Sequence, residues 1–72
     1  MARKNVYQIT ADGSRVVQGM ISGQGAARTA LERIGTALVT DYNFKFTNRR
    51  ADFFEIEHEN GGSKSYYEIV KV

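Results

Sequence analysis

The sequence predicts an α+β domain of order β-β-α-β-β-β, with one helix packed on one face of a mainly antiparallel sheet. Three observations carry this expectation. Two hairpin-type turns, Asp12-Gly13 and Asn60-Gly61-Gly62-Ser63, each separate segments with strand-like alternation. A single stretch, Ala26 to Ile34, repeats its apolar residues at helical spacing. Finally, 72 residues make one domain, 1–72, in which a lone helix and a lone sheet share one core. A chain this short buries only about 60% of the surface its unfolded form exposes, and a deep substrate cavity would consume much of that core.

The elements follow in order. Residues 5–10, NVYQIT, alternate as a strand; 11–14, ADGS, form the turn, and 15–21, RVVQGMI, the returning strand. With Asp12-Gly13 as a two-residue loop, Ile9 faces Val16 and Tyr7 faces Gln18. A competing register turns Val17 and Ile21 inward, because a one-residue slip exchanges the faces. Ser22 is then a suitable N-cap. Ala26, Ala27, Ala30, Leu31 and Ile34 form one apolar stripe, which predicts a helix over 23–34, fraying toward Val39, with Gly35 as its stop.

In 41–48, DYNFKFTN, residues Tyr42, Phe44 and Phe46 point one way and Asn43, Lys45 and Thr47 the other. Residues 48–51, NRRA, read as a polar turn. DFFEIEHE and SYYEIVKV form the last hairpin. With Gly61-Gly62 as its loop, Glu59 lies opposite Lys64, Ile56 opposite Tyr67, and Phe54 opposite Ile69. Glu55, Glu57 and Glu59 then share the other face with Phe53, Tyr66 and Val70. The helix is expected on the Phe54 side, since three carboxylates under an alanine-rich helix would need buried partners that the sequence does not supply.

Charge is unevenly distributed. Residues 1–50 carry eight Lys/Arg against three Asp/Glu, a balance of +5, and residues 51–72 carry two against five, a balance of −3. No cysteine is present, so disulfides and thiolate zinc sites are excluded. No apolar run approaches the ~18 residues of a membrane span, and no signal-like start is visible, which predicts a cytoplasmic chain without a membrane partner.

The segment ISGQGAART, residues 21–29, resembles the place where a phosphate loop would sit. A dinucleotide fingerprint nevertheless fails at its third glycine position, where Arg28 stands, and no Gly-Lys-Ser/Thr follows. Gly23 and Gly25 are read as a strand-to-helix connector, and no cofactor is expected. Glu55, Glu57 and Glu59 alternate along one face while His58 points to the other, so they form no joint metal set. Asp12, Asp41 and Asp52 occupy turn-like positions. With one histidine and no paired nucleophile and base, no catalytic residue is assigned and an enzyme is not expected.

Two binding surfaces remain. In YNFKFTNRR, residues 42–50, rings alternate with polar residues and end in a basic pair. That pattern suits single-stranded nucleic acid, with Arg3, Lys4, Lys45, Arg49 and Arg50 as contacts. The dipeptides Phe53-Phe54 and Tyr66-Tyr67 place rings on both faces of one hairpin, so one helix cannot cover them all. Rings left beside charge are the material of protein interfaces, which singles out Phe53, Glu55, Glu57 and Tyr66. The leading expectation is a small non-enzymatic module, monomeric or homodimeric, that binds and modulates a protein partner. An inhibitor or accessory protein is expected, of the kind found in phages and mobile elements. Nucleic-acid binding is the alternative.

Overall fold

The computed structural model describes residues 5–72. Its elements are β1 (Val6–Ala11), β2 (Arg15–Ser22), α1 (Gln24–Asp41), β3 (Phe44–Arg50), β4 (Phe53–His58) and β5 (Ser65–Lys71). The strands form one sheet in the order β2-β1-β5-β4-β3, with every neighbouring pair antiparallel. The β-β-α-β-β-β order and the single helix on one sheet face are as the sequence predicts.

Sheet order explains why α1 outruns its predicted end. It leaves β2 at one edge and must deliver the chain to β3 at the other. Four inter-strand spacings of about 4.8 Å separate those edges, roughly 19 Å. A helix ending at Ile34 would be about 18 Å long and would leave nine residues as a loop before β3. The observed 18 residues reach about 27 Å and span the sheet within the helix itself. Gly35 is therefore no stop. It lies buried in mid-helix, where a Cβ would stand 3.0 Å from Phe46 Cζ and 3.1 Å from Phe54 Cε2. Its missing side chain lets two rings pack against the helix backbone. Nor is Ser22 the cap: it ends β2, and Gly23 occupies the N-cap at φ 93° without a side-chain hydrogen bond. Gly23 N–H instead donates to Asn5 C=O at 2.8 Å.

The core consists of Ile9, Ile21, Ala27, Leu31, Phe54 and Ile56, with Tyr7, Ile34, Phe44, Phe46, Tyr67 and Ile69 packed around it. Ile9 and Ile56 are essentially fully buried, each stabilising the fold by about 1.5–3 kcal/mol. The fully buried Ala27 lets α1 lie close to the sheet. Phe54 stacks on Tyr67 with centroids 5.0 Å apart and meets Phe46 edge-on at 5.4 Å. The helix covers the Phe54 side, as expected from the glutamates.

Registers differ from expectation in both hairpins. The first turn forms at Asp12-Gly13, both with positive φ, and Ser14 N–H donates to Ala11 C=O at 3.3 Å. Pairing, however, begins with Ala11 opposite Arg15, and two bulges follow in β2, so Ile9 faces Gln18 and Tyr7 faces Ile21. The bulges split the alternatives: Ile21 is buried, yet Val17 is exposed. Met20, at φ 55°, sits in the second bulge. In the last hairpin Phe54 pairs with Tyr67 and Ile56 with Ser65, two residues from the expected register. Gly61 and Gly62 both have positive φ, but the turn closes earlier, where Gly61 N–H donates to His58 C=O at 2.8 Å. A slip of two preserves the faces, so the inward and outward sets stand. β3 runs on through Asn48, Arg49 and Arg50, which were expected in a turn, and the chain reverses at Ala51-Asp52. Tyr42 lies outside β3 as an exposed helix C-cap.

Candidate functional site: the open face of the sheet

Opposed residues in an antiparallel pair share a face. Phe54, Ile56, Tyr67, Ile69 and Ile9 belong to the core under α1, so their neighbours in sequence occupy the open side. One row there crosses all five strands: Arg50, Phe53, Glu68, Thr10 and Val16. A second row contains Asn48, Glu55 and Tyr66, and a third begins with Lys45 opposite Glu57. Phe53, Glu55, Glu57 and Tyr66, all half-buried, are thus brought onto one surface.

Two rings stand at its centre. Phe53 and Tyr66 approach to 5.8 Å between centroids at an interplanar angle of 32°. Tyr66 is fixed at its backbone: Asp12 N–H donates to its carbonyl at 2.8 Å, and its own N–H donates to Asp12 Oδ1 at 3.1 Å. Gly13 matters here for close approach, because a Cβ would stand 2.7 Å from the Tyr66 hydroxyl oxygen. Glu55 is held by the Thr47 hydroxyl, which donates to its Oε1 at 2.8 Å. Thr10, in the same row as Phe53, is only 5% exposed, and its hydroxyl has no partner among the described residues.

A bulge redistributes the basic residues. β3 uses two residues, Thr47 and Asn48, where β4 uses one, so the alternation that would join Lys45 to Arg49 breaks. Arg50 moves to the open face opposite Phe53, in company with Lys45. Arg49 falls on the helix side, its guanidinium 4.4 Å above the Phe46 ring and 3.7 Å from Glu32. The predicted basic set is therefore divided between two faces, and Arg3 and Lys4 lie outside the described residues. Glu59 sits beyond β4, exposed, its N–H donating to Asn43 C=O at 2.9 Å. His58 is on the helix side, edge-on to Phe44 at 5.2 Å, with Nδ1 accepting from Asn60 N–H at 3.2 Å.

One residue of the open face was not singled out from the sequence. Glu68 lies directly opposite Phe53 and adds a third carboxylate to Glu55 and Glu57. It shares the parity of Tyr66 in SYYEIV, and that alternation could have identified it. Among the described residues no helix is long and apolar enough to cross a membrane. No protein-family model matches the chain, and neither the curated proteins nor the solved structures contain a match.

Proposed function

We propose that the protein is a non-enzymatic module, of inhibitor or accessory type and acting in the cytoplasm, that binds a protein partner through the open face. The observation that carries this reading is the half-buried Phe53–Tyr66 pair on a sheet face that α1 leaves uncovered. Aromatic anchors ringed by polar groups are typical of binding hot spots, and Glu55, Glu57 and Glu68 favour a partner that offers Lys or Arg around an apolar pocket. The test compares wild type with Phe53→Ser/Tyr66→Thr as bait for proteins of the source cell. The variant is expected to keep the native circular dichroism spectrum and to lose the captured partner, since anchors of this kind contribute about 2 kcal/mol or more each. Undiminished capture by the folded variant would refute the reading.

Nucleic-acid binding has one observation of its own. The Thr47 bulge pairs Arg50 with Phe53 across the strands, and charge next to a stacking surface suits single strands. The three glutamates on the same face oppose it by repelling phosphate. Affinity for oligonucleotides that falls steeply with salt would favour this second reading.

A further inference from the structure

On the helix side, apart from the Phe53–Tyr66 pair, a cleft of about 390 Å³ opens between α1 and the β3–β4 turn. Arg28 and Glu32 line it from α1, and Arg49, with Arg50 at the strand end, lines it from β3. Its apolar wall is the partly exposed Phe46, backed by the buried Leu31 and Phe54. Arg28 and Glu32 are four residues apart on the helix and so project from the same side. Arg49 approaches Glu32 from across the cleft.

The two guanidiniums are positioned but incompletely used. Arg28 donates through Nε to Asp52 Oδ1 at 2.8 Å, and among the described residues its two terminal nitrogens make no further hydrogen bond. Arg49 is placed by stacking, with Cζ 4.4 Å from the Phe46 centroid. Its nearest carboxylate oxygen, on Glu32, is 3.7 Å away, too far for a hydrogen bond. Among the described residues its guanidinium N–H donors make no hydrogen bond, so they are available to a ligand. Two planar forks beside an aromatic wall match an oxyanion carried on an apolar ring.

We propose that this cleft binds a small aromatic oxyanion, a carboxylate or phosphomonoester. Its oxygens bridge Arg28 and Arg49, and its ring lies beside the partly exposed Phe46. Glu32 is the resident competitor. Its loose contact with Arg49 is the one an incoming anion displaces.

The test is an NMR titration of the isotope-labelled protein, observing backbone amides and arginine Nε–H, with phenyl phosphate and benzoate as probes. Inorganic phosphate and benzyl alcohol are the anion-only and ring-only controls. Saturable shifts are expected at Arg28, Leu31, Gly35 and Arg49 with at least one probe, and weaker binding with both controls. Arg49→Gln should weaken binding by about tenfold, the scale of one charge-assisted hydrogen bond. Glu32→Gln should tighten it, a gain that a merely structural salt bridge would not produce. Both side chains are more than half exposed, so these variants keep the fold, which the amide spectrum verifies. The inference is overturned by shifts that stay linear through about 20 mM, above the range expected for so small a ligand. It is equally overturned if benzyl alcohol binds as well as the probes or if Arg49→Gln has no effect. Shifts at Arg28 and Arg49 with oligothymidylate but with neither probe would overturn it in favour of nucleic acid. Phe53→Ser/Tyr66→Thr leaves the cleft intact, so this inference and the open-face reading fail independently.

Discussion

Phe53 and Phe54 are adjacent in the chain, as are Tyr66 and Tyr67, yet the two rings of each dipeptide sit in different surroundings. Phe54 is 2% exposed, stacked on Tyr67, met edge-on by Phe46 and seated against the Gly35 backbone. Phe53 has Tyr66 at a tilt, with charged Arg50 and Glu68 directly across from it, and no helix above. Both pairs are aromatic contacts across the same two strands. What differs is the layer above: α1 takes Phe54 out of water with Tyr67 partly buried beside it, while the other pair stays at the surface. Burial by a second layer, and not ring contact alone, separates a core residue from a candidate recognition residue.

The sharpest way to break this comparison is to delete side chains from each face and measure stability by denaturant unfolding. Ile56→Ala, beneath the helix at 1% exposure, should cost about 2–5 kcal/mol. Phe53→Ser/Tyr66→Thr removes far more atoms yet should cost less, because only a half-buried contact is lost. If the open-face pair proved the more expensive, the assignment of faces to core and recognition would collapse.

A smaller effect tests the helix seat. Gly35→Val would push a branched side chain into Phe46 and Phe54, and overpacking of this kind costs about 1–3 kcal/mol. Neutral behaviour in the same unfolding assay would mean that the rings yield and that the close approach of α1 is not needed.

The smallest effect concerns the β4–β5 connection, which aligns both faces. No atom lies within 4 Å of a Cβ built at Gly61 or Gly62, so substitution there acts through backbone conformation alone. Gly61→Val should cost about 1–2 kcal/mol, because φ is +85°, whereas Ser63→Val should change the melting temperature little. Equal tolerance at the two positions would contradict the observed turn.

Legibility in the sequence followed the range of the interactions concerned. The outward set Phe53, Glu55, Glu57 and Tyr66 was readable because side chains alternate strictly along a strand. It survived a register error because the β4–β5 slip was two residues. The basic set was not readable. One extra residue at Thr47 sends Arg49 to the helix side and Arg50 to the open side, and no local pattern announces a bulge. Likewise, Gly35 looked like a helix end because glycine commonly occupies such ends; the rings that need its bareness are 11 and 19 residues away in sequence.

By itself the sequence determined the element types, their order, the places of the two glycine-containing hairpin connections and which residues of β4 and β5 share a face. All of these follow from periodicity and backbone preference within a few residues. Tertiary structure alone decided the registers, the length of α1, the role of Gly35 and the separation of Arg49 from Arg50. Each of these depends on contacts between distant segments: α1 must span from β2 to β3, and cross-strand packing selects the pairing that fills the core beneath it.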